Sequence, residues 1–404
     1  YPDARQPEGR FHKRPGAESG GVYVEKAVGG KNGKVRTTVK KLDFESVLRG
    51  RRYRDGLFLP DYPRDESGRF LREKTLEIIV REEYGEIGEK EREGLTVTTE
   101  DVTDRDADLY NGCLVCAKAL HDKVKFTLSK NGKSSSFIVD IFNPVKVKAP
   151  DFVVHLDFVA GVPTKYLPIE EIMDRGIGVA HVDYKGITSD DENFDDGIAK
   201  LFERKNPYSA GKIAIWAFAA KLIGEYLSER GYAEKDRLYV AGHSRLGKTA
   251  LLAGALYPIF AGCFVNCSGC SGAAISRGKQ GETIRKINDV FGYWFTENYK
   301  KYNDREYEMP FDQHFLAASV FPRKLFVVAA SKDDWADTDA QYLCAEAAST
   351  VYEESGSVGL SRLVKPLEVG EKNDKGNIKF FVRDGVHYFS REDWNFYIDC
   401  LKTQ

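Results

Sequence analysis

Residues Arg237–Leu252, RLYVAGHSRLGKTALL, constrain the fold more than any other stretch. A short apolar run, Leu238, Tyr239 and Val240, meets Gly242. His243, Ser244, Arg245, Leu246, Gly247 and Lys248 follow, and then an Ala/Leu-rich segment. That order predicts a strand, a tight turn and a helix. Two chemistries use such a turn. In a nucleophile elbow, Gly-x-Ser-x-Gly places a serine hydroxyl above the sheet on a strained turn. Gly242-His243-Ser244 supplies the first half, but the second glycine arrives one residue late, at Gly247. In a phosphate loop the pattern is G-x-x-x-x-G-K-[ST]. Gly242 to Thr249 matches it without a mismatch. Pattern alone favours a nucleotide, so the rest of the chain decides.

From Asp151 onward, strand-like runs alternate with helical ones. The expected strands are Phe152–Phe158, Gly178–Tyr184, Leu238–Val240, Cys263–Cys267, Leu325–Ala330 and Ile378–Val382. The expected helices are Ile169–Arg175 after Pro168, Lys212–Arg230, the segment after Ser244, and Asp393–Leu401. In Lys212–Arg230 the apolar positions Trp216, Ala220, Ile223 and Leu227 fall on one helical stripe. Alternation of this kind predicts a mostly parallel sheet with helices on both faces. Before it come a helical pattern at Phe70–Glu83 and strands at Leu95–Val102, Lys123–Leu128 and Ser136–Ile141. These predict antiparallel strands at the N-terminal edge. Residues 1–55 are rich in Arg, Lys and Gly and read as a peripheral arm, with a hairpin around Gly29–Gly33 and a basic run at Arg49–Arg54. Residues 56–404 then form a single α/β domain.

The order of chemistry along these strands separates the two readings. A phosphate loop needs an acid on a later strand for magnesium, and Asp333 imitates one. It leaves His387 without a task, and His243 and Arg245 are bulky where amides must wrap a phosphate. An ester hydrolase needs serine, then an acid after a later strand, then a histidine after the last strand. Ser244, Asp333 beyond Leu325–Ala330, and His387 beyond Ile378–Val382 stand in that order. Each lies at the carboxyl end of an expected strand, where open α/β sheets place their sites. Serine is a weak nucleophile until an imidazole takes its proton, and the imidazole needs a carboxylate to fix its tautomer. The hydrolase is the more coherent reading.

Composition narrows partners. Net charge is −2 over 404 residues, so no global field favours nucleic acid or an anionic membrane surface. No apolar run approaches the roughly 18 residues of a membrane span. The chain opens on Tyr1 with no signal-like segment, so a trimmed upstream piece is expected. Seven cysteines, an odd count, argue against a complete disulfide framework. Cys113-x-x-Cys116 lacks a second pair at ligand spacing, and no His-x-x-x-His or His-Glu pair exists, so neither metal nor cofactor is expected.

Several motifs in one order, GHSRLGKTALLAGA, SGCSGAAISR, GETI, PFDQH, DDWAD and GVH, resemble bacterial glucuronoyl esterases of carbohydrate esterase family 15. The resemblance runs from about Leu71 to the C-terminus. It implies an α/β-hydrolase fold and cleavage of the ester between a 4-O-methyl-glucuronoyl group of xylan and a lignin alcohol; apart from the resemblance, a monomer is expected. The resemblance also implies action outside the cell. By position, Ser244 would be the nucleophile, His387 the base, and Arg245 an oxyanion donor through its N–H and guanidinium. Lys248 and Glu282 would bond sugar hydroxyls, and Trp335 would line the uronate pocket. The displaced Gly247 looks like the family's own variant of the elbow. One departure matters. Many relatives carry the acid just before Ser-Gly after the nucleophile helix, where this chain has Cys267. The acid is then expected from Asp333, with Asp334 and Asp337 as neighbours left open.

Other residues carry plainer expectations. His155 and His181 read as core histidines, and His243 as packed under the turn. Glu282 has a second reading as a helix cap, Lys248 as a helix-start lysine, and the acidic loop Asp190–Asp196 reads as solvated. An acetyl-xylan esterase, a carbohydrate-binding pseudoenzyme and an NTPase remain the alternatives.

Overall fold

The computed structural model describes residues 39–41, 58–104, 117–361 and 367–402. The hairpin turn expected at Gly29–Gly33, the basic run Arg49–Arg54 and the Cys113/Cys116 pair lie outside them. A small ribbon pairs β1 (Val39–Lys41) antiparallel with β2 (Phe58–Pro60).

Ten further strands make one sheet. They are β3 (Thr96–Asp101), β4 (Ala119–Lys130), β5 (Lys133–Pro144), β6 (Phe152–Asp157), β7 (Gly178–Asp183), β8 (Leu238–His243), β9 (Gly262–Asn266), β10 (Lys324–Ala330), β11 (Lys372–Asn373) and β12 (Ile378–Arg383). Their order is β11-β12-β10-β9-β8-β6-β7-β5-β4-β3. The run from β12 to β7 is parallel throughout. Every residue of β6, β8, β9 and β12 is buried, which is why these strands read as mainly apolar without strict alternation.

The N-terminal edge is antiparallel, as expected. The hairpin of β4 and β5 is longer than the six-residue strands the apolar pattern suggests, because twelve residues pair on each side. Asn131 and Gly132 both have positive φ, 51° and 74°, as a two-residue turn that matches strand twist requires. Polar residues such as Ser134–Ser136 continue the ladder on the solvent side.

Helices cover both faces. Among the described residues, the α-helices of six residues or more are α1 (Arg72–Ile79), α2 (Ile169–Asp174), α3 (Lys212–Glu229), α4 (Arg245–Leu256), α5 (Ile284–Phe291), α6 (Thr338–Glu354) and α7 (Arg391–Lys402). Trp216 of α3, Leu251 of α4 and Leu343 of α6 join one core with Val240 and Val265. Ile172 of α2 and Trp394 of α7 join the other with Tyr239 and Phe264. Adjacent residues of β8 thus feed opposite cores, as the strand period of two demands. No helix among the described residues is long and apolar enough to cross a membrane.

Candidate active site

The turn after β8 carries Ser244 at φ 56° and ψ −123°, a region non-glycine residues enter only under strain. Packing holds it there. The Ser244 N–H donates to Asn266 O at 2.9 Å, and Lys248 N–H donates to Ser244 O at 3.0 Å. A Cβ on Gly242 would stand 2.1 Å from Leu246 O, so the turn closes only on a glycine. A Cβ on Gly247 would stand 2.9 Å from Asn266 O and 3.1 Å from Ser268 Cβ. The late glycine therefore marks where α4 crosses the end of β9. Arg245–Lys248 are already helical. A phosphate loop needs open backbone there to wrap its anion, so the nucleotide pattern is a coincidence of letters.

Neighbouring strands bring acid and base together. β10 and β12 pair in parallel, with Ala330 opposite Arg383. Asp333 and His387 follow a few residues later, and His387 Nδ1 lies 2.6 Å from Asp333 Oδ2. A carboxylate only accepts, so Nδ1 carries a proton, and in the neutral ring the lone pair then lies on Nε2. The Asp333 side chain is 2% exposed and that of His387 40%. Ala336 N–H donates to the other Asp333 oxygen at 3.2 Å. Asp334 is exposed. Asp337 caps α6 through Ala340 N–H and accepts Gln280 N–H. Of the three neighbouring aspartates, Asp333 is the one that meets the imidazole.

Two residues flank this pair. The ring of His243 lies 4.4 Å from that of His387. His243 is buried as expected, with Nδ1 2.6 Å from Asn266 Oδ1. Burial, and then His387, pull its pKa well below the usual range, so it stays neutral. Cys267 Sγ, an Asp333 oxygen and a His387 nitrogen lie within 4.8 Å of one another. Burial, and then the Asp333 charge, push this thiol well above its ordinary pKa. A neutral thiol cannot replace a carboxylate beside an imidazolium. These three atoms are donors of metal-binding type, but two of them already bond each other.

The acidic loop departs from the expectation of solvation. Asp191, Glu192 and Asp195 are exposed, but Asp190 and Asp196 turn inward. Asp196 meets the fully buried Lys212 ammonium at 3.4 Å. Asp190, 6% exposed, pairs with the Arg245 guanidinium. The reason is the buried Lys212 of α3 and the partly buried Arg245 of α4, far along the chain, which need counter-charges.

Lys248, Glu282 and Trp335 form a connected wall. Lys248 is buried one turn beyond Ser244, with Nζ 2.6 Å from Ser268 O and 3.6 Å from Glu282 Oε2. Glu282 N–H donates to Trp335 O at 3.1 Å. Glu282 is not the cap of α5, since the Thr283 hydroxyl takes that place. Lys279 Nζ also donates to Trp335 O, at 2.9 Å. The Trp335 side chain stands largely exposed, with Lys286 Nζ 5.1 Å from its ring centre. His155, His181 and His314 are buried away from solvent, as core histidines are. A cavity of about 690 Å³ opens elsewhere, beside Arg81 and Tyr208, and includes none of these residues.

Sequence reasoning missed Asp190 and Trp294 behind Arg245. An acid soon after the carboxyl end of β7 is the only local signal for Asp190. The arrangement as a whole offers a strained serine, an imidazole with a fixed tautomer and a buried carboxylate behind it.

Known proteins resemble this chain. A profile described as "Glucuronyl esterase, fungi" matches residues 126–356, more than half of the chain. Carbohydrate esterase MZ0003 from an unknown prokaryotic organism is 38% identical over 245 residues, covering 59% of this chain and 56% of that protein. A 4-O-methyl-glucuronoyl methylesterase of Podospora anserina is 27% identical over 247 residues, covering 58% of this chain and 50% of that protein. The chain thus spans about half the length of these curated relatives. The solved glucuronoyl esterase from Solibacter usitatus superposes with a TM-score of 0.74 at 28% identity, covering 85% of this chain and 98% of that one.

Proposed function

The chain belongs to the glucuronyl esterase family, and on that premise we propose that it hydrolyses 4-O-methyl-glucuronoyl esters joining glucuronoxylan to lignin alcohols, outside the cell. Its fold is that of an α/β hydrolase. The observation that carries the reading is the 2.6 Å contact of His387 Nδ1 with buried Asp333, at the carboxyl end of the sheet that holds Ser244 on its elbow.

The proposed chemistry follows from those groups. Ser244 Oγ attacks the ester carbonyl while His387 Nε2 takes its proton. Asp333 stabilises the imidazolium that forms. Arg245, first residue of α4, presents its N–H at a helix N-terminus and its guanidinium beside it. A preorganised donor to the oxyanion is worth about 3 kcal/mol. The imidazolium then protonates the departing alcohol, leaving a uronyl ester on Ser244. Water, deprotonated by His387, attacks that ester and releases the uronic acid. Lys248 and Glu282 bond sugar hydroxyls, and Trp335 covers the ring.

The Lys248–Glu282 pair supports a uronate sugar over an acetyl group, which needs neither. The test is hydrolysis of a benzyl glucuronate ester beside an acetyl ester, with wild type and Ser244→Ala. The glucuronate ester is expected to be the better substrate, and Ser244→Ala to abolish turnover. Preference for the acetyl ester would replace the reading by an acetyl-xylan esterase. No turnover of either, with xylan binding retained, would make the chain a carbohydrate-binding pseudoenzyme.

A further inference from the structure

Asp190 does more than neutralise a partly buried cation. Its carboxylate has about four lone-pair sites; the structure directs three donors at them and sets a fourth, a hydroxyl, between the carboxylate and its backbone oxygen. Arg245 Nη1 and the Tyr184 hydroxyl meet Oδ2, the latter at 2.8 Å. Trp294 Nε1 meets Oδ1 at 2.7 Å, and the Tyr293 hydroxyl meets it at 3.3 Å. The single Tyr293 hydroxyl proton has the Asp190 backbone oxygen as its nearer acceptor, at 2.9 Å. A carboxylate held this way does not swing with its loop.

Trp294 also faces the guanidinium, together with Phe291. Arg245 Cζ lies 4.7 Å from the Trp294 ring centre and 5.2 Å from that of Phe291. The indole thus gives its edge to Asp190 and its face to Arg245. Trp294 and Phe291 are themselves stacked at 4.0 Å. Arginine is among the side chains with most rotamer freedom to lose. An oxyanion donor works by standing in place before charge develops. The pair is also close to neutral as a unit, so it need not clamp the anionic uronate product.

We propose that Asp190 is a positioning residue, acting through Arg245 in the ester hydrolysis proposed above and resting on that reading. Asp190 fixes the guanidinium where the oxyanion forms, and it never touches the substrate.

A double-mutant cycle tests this on the benzyl glucuronate ester, using Asp190→Asn, Arg245→Gln and the two together. Arg245→Gln is expected to lower kcat by about a hundredfold, the scale of one lost oxyanion donor. Asp190→Asn should lower it about ten- to a hundredfold with KM changed less than about twofold, because the interaction is made in the transition state. The double variant should be within about twofold of Arg245→Gln alone, since Asp190 has no other route to the reaction. Wild-type kcat in Asp190→Asn overturns the proposal, and so does a double variant about tenfold or more below Arg245→Gln. If Asp190→Asn does not fold, Asp190→Glu, which keeps the charge but displaces it by one methylene, takes its place in the cycle with the same expected and overturning results. An inert wild type overturns the esterase reading and this proposal together. Multiplicative losses in an active enzyme overturn this proposal alone.

Discussion

Replacing Asp333 by Asn changes one atom and should remove most of the catalysis. Two donors face this carboxylate: His387 Nδ1 at 2.6 Å from Oδ2, and Ala336 N–H at 3.2 Å from Oδ1. An amide has one oxygen for the two. Backbone Ala336 always donates, so the amide oxygen is drawn to it and the NH₂ faces His387. Nδ1 then accepts, which moves the ring proton to Nε2. A ring protonated at Nε2 cannot take the serine proton. The same swap in the serine-protease triad lowers kcat about 10⁴-fold, or about 5.4 kcal/mol of barrier. We expect about 10³- to 10⁴-fold here, with KM for a benzyl glucuronate ester little changed. Cys267→Ala is the matched control, because a neutral thiol contributes no charge; its kcat should stay within about threefold of wild type. Steady-state kinetics on both variants, with melting curves to show they are folded, decide the matter. An Asp333→Asn enzyme within about tenfold of wild type, or a Cys267→Ala enzyme as damaged as it, would falsify the assignment.

Two predictions concern stability. Gly247→Ala sets a Cβ 2.9 Å from Asn266 O, a backbone atom that cannot rotate away, so α4 must lift from β9. A loss of about 1–3 kcal/mol is expected from such overpacking, read as a lower urea midpoint; an unchanged midpoint would show that the crossing has slack. Glu83 is buried against Gln313, and burial lifts its pKa from 4.5 to about 8. The unfolded chain releases that proton near 4.5 and the folded one near 8. The stability this group contributes is therefore complete below about pH 4.5 and lost as pH rises through about 8. Glu83→Gln should flatten the fall in unfolding free energy across that window, and equal slopes for the two proteins would refute the burial argument.

What the chain reveals before folding follows physical range. Strands β8, β10 and β12 are buried on both faces, so their apolar character is visible, and Ser244, Asp333 and His387 each follow one of them closely. The antiparallel hairpin was shortened because backbone pairing continues past its apolar residues to Lys130 and Lys133. The helix Thr338–Glu354 went unread because alanine, serine and threonine fill its buried side, where Ala345, Ala348 and Ser349 leave little hydrophobic contrast. Asp190 looked solvated because its partner Arg245 is 55 residues away. Its environment is made by α4 and Trp294, neither of which the local sequence announces. Asp333 is favoured over Asp334 and Asp337 only by its place in the DDWAD motif; no local signal separates the three, since the outcome depends on which carboxylate the β10 turn aims at His387.

The ladder of the sheet does not stop at its strands. Ser244 N–H still bonds Asn266 O, and Cys267 N–H bonds Val328 O at 2.8 Å. Ser244 is thus the last rung of the central sheet and has no hinge of its own. Amide exchange at Ser244 should then await opening of the sheet itself. Heat inactivation by loss of the elbow becomes inseparable from loss of the fold, whereas the walls around it are free to loosen earlier.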